Sequence, residues 1–380
     1  MQTKEKIKTN ASKKYLLMMQ PEEKWPPALY THMFLVMEVM LLAKKMGRTL
    51  VLPHLHSQPM DNTKSESGVV PREEFTFGTF YIPMENFFQM EEIKKYVDAI
   101  TLDEFLKIKG KHLSVLCCFD NPHKDEIRSY GINFKFKKAM MMQNAKELKK
   151  LEEESVALTG FDHRHFINSS PNWPKILKDD YWKIRRRLIF NKKLLSKAED
   201  FMNKKGLHNY VSVHWRRGDR VLPEINLLQE IITENKESMK KMIDKCLVFP
   251  LKKIMKKEDL EKVFLATNSG TKWHVDYLKS KLPIIQYPSS GNWRKREEES
   301  IIENIICSKA EYFLGAPFKY EHCSSFSRWI IDCMILRGLE HKVEHQKKMG
   351  DTFLAKDYRK YLTLRKKVKR LIYPFHPFWS

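Results

Sequence analysis

Arg216 and Arg217 stand side by side, followed by Gly218 and Asp219, directly after the apolar alternation Tyr210-Val211-Ser212-Val213-His214. Two adjacent guanidiniums carry rigid forks of donors that match phosphate or carboxylate, and leaving them desolvated and unpaired costs free energy. Gly218 admits a close backbone approach, and Asp219 can hold an arginine or accept from a sugar or base donor. The plainer alternative is an ion pair of Arg216 or Arg217 with Asp219 at a strand end. The alternation itself reads as a strand, and in open α/β sheets ligands bind beyond the carboxyl ends of the strands.

Two more polar clusters follow apolar runs in the same half of the chain. Lys262-Val263-Phe264-Leu265-Ala266-Thr267 ends in Asn268-Ser269-Gly270, and Glu311-Tyr312-Phe313-Leu314-Gly315 leads to Ser324-Ser325-Phe326-Ser327. The serines fall at an expected helix N-terminus, where unbonded amides and the helix dipole favour a phosphate. An N-cap role for Ser324 or Ser325, and a turn role for Asn268, are the structural alternatives. Neither G-x-x-x-x-G-K-[ST] nor G-x-G-x-x-G occurs, nor any Asp-x-Asp pair, and the histidines and cysteines show no zinc spacing. The expectation is a nucleotide site whose pyrophosphate is neutralised by arginines, with no metal ligands.

Alternating strands and helices must position these groups. Lys14 to Met19 reads as a first strand, 28–45 as a long apolar helix closed by Gly47, and Thr49 to Leu52 as the next strand, stopped by Pro53. That βαβ opening predicts a parallel sheet. His54 to Gly78 reads as a long loop; Thr101, with Glu104 three residues on, as a capping box; His112 to Phe119 as a buried strand; Lys138 to Glu154 as helix. Asp179 to Asn203 reads as one charged helix ending at Gly206, after which the alternation restarts. In the second half Lys272 to Lys281 and Lys295 to Ser308 read as helices, and Pro283 to Tyr287 as a strand. The expected division is 1–205, 206–345 and a basic helical tail over 346–380.

At 380 residues, with 42% hydrophobic and 12% aromatic residues, the chain has material for two domains of roughly 150 to 200 residues each. Its net charge of +22, from 69 Lys and Arg against 47 Asp and Glu, calls for an anionic partner or substrate. Lys252, Lys253, Lys256 and Lys257 read as solvated helix faces; the denser run Arg365 to Arg370 reads as a basic surface able to meet phosphate or lipid headgroups. No nucleic-acid-binding motif accompanies the charge, so no nucleic-acid partner is expected. Six cysteines without a C-x-x-C pair permit disulfides without requiring them. Met1 to Lys8 is polar, so no signal peptide is visible, and the apolar run 28–43 falls short of a membrane span. The compartment stays open: the endoplasmic reticulum lumen if a leader was removed, the cytoplasm otherwise.

His214-x-Arg216-Arg217-x-Asp219, the segment Val263 to Asn268, and Ala310 to Gly315 leading to Ser324-Ser325-Phe326-Ser327 resemble, in order, the signatures of the GDP-fucose protein O-fucosyltransferase family. The N-terminal half is similar at Phe34 to Pro53 and at Thr101 to Leu106. The resemblance implies an α/β, GT-B-like architecture, two Rossmann-like domains with the active site in the cleft between them. It also implies inverting transfer of fucose from GDP-fucose, as donor substrate, to a Ser or Thr hydroxyl of a protein acceptor, with small disulfide-rich domains among the acceptors. Carried over by position, Arg216 would contact the β-phosphate and stabilise the departing GDP. His214 would lie beside the nucleotide, and Asn268, Ser324, Ser325 and Phe326 would surround guanosine and pyrophosphate; Arg217 and Asp219, from the charge cluster itself, are expected to bind the nucleotide with them. Asn268 departs from the Asp found in many members. The first turn, Pro21-Glu22-Glu23-Lys24-Trp25-Pro26-Pro27, lacks the Gly-rich form and resembles an acidic turn of one branch. Inversion needs a group to take the acceptor's proton, and Glu22 or Glu23 on that turn is the candidate base, an exposed acidic turn being the plainer alternative. Another nucleotide sugar as donor, or a non-catalytic member of the fold, are the competing expectations.

Overall fold

Short parallel strands joined by helices build both halves of the chain. The computed structural model describes residues 13–19, 29–57, 80–118, 126–142, 145–148, 150–159, 180–215, 236–267, 272–292, 295–315 and 324–345. They fall into two units, one within Met1–Met60, Glu73–Glu199 and Ser289–Ile302, the other within Asp61–Arg72, Asp200–Pro288 and Glu303–Ser380.

In the first unit, β1 (Tyr15–Met18) is followed by α1 (Leu29–Met46) and β2 (Thr49–Leu52). α1 is apolar almost all round, so most of its surface is buried. Gly47, at φ +63°, closes it: Arg48 N–H bonds the Ala43 carbonyl at 2.9 Å and Gly47 N–H the Lys44 carbonyl at 3.2 Å. β3 (His54–Ser57) and β4 (Phe80–Pro83) pair antiparallel as a separate ribbon, so the loop expected from His54 begins as a strand. Its core anchor, fully buried Leu55, is a single apolar residue among polar ones, too little to read as alternation. α2 (Met90–Lys94), β5 (Ala99–Thr101) and α3 (Leu102–Lys109) come next. Thr101 Oγ1 accepts from Glu104 N–H at 3.1 Å while the Glu104 carboxylate accepts from Thr101 N–H at 2.8 Å, the expected capping box.

β6 (His112–Cys118), β7 (Glu126–Ser129), β8 (Ile132–Met141) and β9 (Ser155–Thr159) complete a seven-stranded sheet of order β5-β2-β1-β9-β6-β8-β7, parallel except for the β7–β8 hairpin. The helix expected over Lys138 to Glu154 is therefore corrected: its start belongs to β8, and among the described residues of that span only Ala145–Leu148 is helical. Lys, Ala and Met favour helix locally, but Phe134 and Phe136 are buried while the intervening lysines face water, and ten residues of pairing outweigh propensity. The helix expected over Asp179 to Asn203 is broken too. Phe190 bridges Phe88, their rings stacked 5.2 Å apart, and the chain restarts as α4 (Lys192–Lys205) with Asn191 Oδ1 accepting from Leu194 N–H at 3.0 Å as N-cap.

The second unit opens with β10 (Tyr210–Trp215), reached through Gly206 at φ +60°. A continuous helical run follows, α5 (Lys236–Ile243), one π-helical turn (Asp244–Val248) and α6 (Phe249–Glu258). Pro250 supplies the cause: it has no N–H to bond the Cys246 carbonyl and its ring pushes that carbonyl away, which a wider turn accommodates. β11 (Lys262–Thr267), α7 (Lys272–Lys281), β12 (Ile284–Ile285), α8 (Arg296–Lys309), β13 (Tyr312–Gly315), α9 (Ser325–Leu336) and β14 (Val343–His345) follow. Of the strand expected over Pro283 to Tyr287 only two residues pair. All five strands are parallel, in the order β12-β11-β10-β13-β14. On β10, Val211, Val213 and Trp215 face the core formed with α6 and α7, while Tyr210, Ser212 and His214 alternate to the other face, against α8 and α9.

Candidate functional site

In sequence order the strands of the second sheet run third, second, first, fourth, fifth, so the chain reverses direction between β10 and β13. Crossovers leave from that point in opposite directions and open a crevice at the strands' carboxyl ends. His214 and Trp215 end β10 there, and Gly315 ends β13. α9 begins close by, since the first-turn residue Ser327 reaches His214: Oγ lies 2.7 Å from Nδ1. The Phe326 ring packs tilted against the imidazole at 4.5 Å between centroids.

The amino end of α9 has the features of an anion cradle. Ser324 occupies the N-cap position, yet its side chain makes no capping hydrogen bond, and no acidic residue sits in the first turn. Asn304 of α8, fully buried, donates from Nδ2 to the Phe326 carbonyl at 3.2 Å and so braces the same turn. On the other side of β10, the Thr267 hydroxyl donates to the Trp215 carbonyl at 2.6 Å and ties the tips of β10 and β11 together. Trp215 itself is buried against the His274 ring, 5.8 Å away.

Of the residues expected at the site, His214, Ser324, Ser325 and Phe326 are brought together by this geometry. Arg216, Arg217 and Asp219 follow β10 directly in the chain, and Asn268 follows β11; these four, with Glu22 and Glu23, lie outside the described residues, as does the tail 346–380. Sequence reasoning placed Thr267 and Ser327 in the polar clusters at the strand and helix ends without their pairing to Trp215 and His214, and it missed Asn304. Ser327 was within sight as the last serine of its cluster, whereas nothing local marks Asn304. Among the described residues no group of three or more His, Cys, Asp or Glu is placed to hold a metal ion, and no helix is long and apolar enough to cross a membrane. Cys117, Cys246 and Cys307 are buried free thiols; burial pushes the Cys117 thiol up to about 12, which keeps it unreactive.

No curated protein sequence matches the chain. Among solved structures, that of POFUT1 in complex with GDP superposes with a TM-score of 0.56 at 18% identity, covering 89% of this chain and 99% of that one. POFUT1 in complex with GDP-fucose gives 0.52 at 16%, covering 88% and 99%. The fucosyltransferase NodZ from Bradyrhizobium gives 0.45 at 12%, covering 84% and 91%. The POFUT1 likeness shows a shared α/β, GT-B-like fold. The model of GDP-fucose protein O-fucosyltransferases matches residues 35–331, which takes in β2 to β13 and the amino end of α9, and the chain belongs to that family.

Proposed function

We propose that the protein is an inverting glycosyltransferase that moves fucose from GDP-fucose to a Ser or Thr hydroxyl of a protein acceptor, without a metal ion. The observation that carries this reading is the convergence of the β10 tip and the α9 cradle at the reversal point of the second sheet, within a family match that spans both. POFUT1, whose fold the chain shares, has been crystallised in complex with GDP and with GDP-fucose. Residues 206–345 would carry the nucleotide sugar, residues 1–205 the acceptor side, and residues 346–380 a basic tail.

The chemistry follows from charge. Breaking the bond from fucose C1 to the β-phosphate oxygen builds positive charge on the sugar and negative charge on GDP, so donors fixed where that charge develops lower the barrier. Arg216 would meet the β-phosphate. Arg217 and the first-turn amides of α9, with Ser324, Ser325 and Phe326, would hold the rest of the diphosphate, His214 would lie beside it, and Asn268 and Asp219 would take guanosine. Glu22 or Glu23 would receive the acceptor hydroxyl's proton as oxygen attacks C1 from the face opposite GDP.

Calorimetry with GDP, GDP-fucose and UDP in chelator, on wild type and Arg216→Ala, tests the reading. GDP binding that UDP does not reproduce, and that the variant loses, is the expected result, with transfer slowed on the order of 10²- to 10³-fold. Equal binding of UDP, or a strict requirement for added divalent metal, would overturn it.

A further inference from the structure

Ser327 is fully buried, 0% exposed, and its hydroxyl lies 2.7 Å from Nδ1 of His214. The two residues lie 113 positions apart and are brought together only because β10 and α9 flank the reversal point. The imidazole is further bounded by the Phe326 ring, and Phe326 is itself held through its carbonyl by Asn304.

We propose that Ser327 is a positioning residue for nucleotide binding: its hydroxyl donates to Nδ1 of His214 and thereby keeps the ring's one hydrogen on Nε2, the nitrogen that meets a phosphate oxygen. The proposal rests on the reading of this crevice as a nucleoside diphosphate site. Phosphate oxygens only accept hydrogen bonds, and a neutral imidazole carries a single N–H. A ring with that hydrogen on Nδ1 would turn a lone pair toward an anion. A serine hydroxyl has the donor that Nδ1 needs and can fix both tautomer and ring orientation, as outer partners of ligating histidines do elsewhere. In acid both ring nitrogens carry hydrogen, the hydroxyl turns to accept, and its influence on the tautomer disappears.

The test is titration of the full chain with GDP from about pH 5.5 to about pH 8.5, for wild type, Ser327→Ala and Ser327→Thr. Ser327→Ala is expected to bind roughly tenfold more weakly near pH 8 and to approach wild type near pH 5.5, with Ser327→Thr close to wild type throughout. Taking the ratio of variant to wild type cancels the titration of GDP's own terminal phosphate. An alanine deficit of the same size at every pH would mark packing alone and overturn the proposal, as would unchanged affinity near pH 8. Nitrogen-15 spectra of the His214 ring in the wild-type protein give a second arm that needs no folded variant. Hydrogen on Nε2 upholds the assignment; hydrogen on Nδ1 at neutral pH overturns it. Should the wild type bind no GDP at all, the nucleotide reading fails, and the ring spectrum still decides what Ser327 does.

Discussion

Arg48 follows the C-terminal glycine of α1, and its buried guanidinium is turned wholly on backbone. It donates to the Leu151 carbonyl at 2.6 Å, the Glu153 carbonyl at 2.7 Å and, more weakly, the Tyr15 carbonyl at 3.4 Å, tying the segment before β9 to the start of β1. Burial lowers its pKa while Glu153 and Glu152 pull the other way, and the group stays charged. Arg48→Ala strands these carbonyls and is expected to cost about 2–4 kcal/mol in urea unfolding; Arg48→Lys, whose three donors sit on one compact ammonium instead of a planar fork, recovers only part of it. A cost below about 0.5 kcal/mol would show the segment to be held by other means. His54 reads out differently. Burial holds its imidazole below the ordinary histidine value, against the raising influence of Asp103 and Glu85, with Nε2 3.9 Å from Asp103 Oδ1. The unfolded chain therefore takes up this proton at higher pH than the folded one, so the stability that neutral His54 contributes is present above its unfolded pKa of about 6.5 and is lost as pH falls from there through its lower folded value. The midpoint of thermal unfolding should drop more between about pH 7.5 and 5.5 in wild type than in His54→Asn; equal drops would refute this.

At the scale of elements, what the amino acids announced was whatever they settle with near neighbours. The Thr101–Glu104 box and the Gly47 closure each span a few positions and are present as read. Thr101→Ala should cost about 1 kcal/mol and fray α3. β8 escaped because its partners lie on β6, about twenty residues back in register, and its lysines and methionines say helix when read alone. The ends of α8 are equally non-local. β10 provides donors to two of its last-turn carbonyls: the Tyr210 hydroxyl donates to the Ile306 carbonyl at 2.6 Å and the Ser212 hydroxyl to the Cys307 carbonyl at 2.9 Å. Arg337 closes the series on the Ser308 carbonyl at 2.6 Å. Tyr210→Phe keeps the ring and leaves a buried carbonyl unbonded, a loss of about 1–3 kcal/mol in chemical unfolding; no loss would mean that the carbonyl finds another donor. The same division holds for the site. His214 and the serine cluster were legible as residue types at strand and helix ends, while the pairing of His214 with Ser327 and the brace from Asn304 exist only once the sheet is assembled.

For the whole molecule, a net charge of +22 on 380 residues sets the long-range field. Like charges separated by a few turns of chain repel across about 30 Å in 0.01 M salt and across about 8 Å at 0.15 M, so added salt should raise the thermal midpoint through screening while weakening GDP binding. A midpoint that is flat or falls over that range would mean the surface lysines are locally neutralised. Against that diffuse field, the Thr267 hydroxyl bonded to the Trp215 carbonyl is a single short link, and its position gives it reach. The next residues in the chain are Arg216 and Asn268, to which the proposed function gives the diphosphate and the base, so the two strand tips that lead into them share one tie. Guanosine alone or pyrophosphate alone should then slow amide exchange at both strand tips, each fragment reporting the arrival of the other half, and Thr267→Val should let the two tips respond separately.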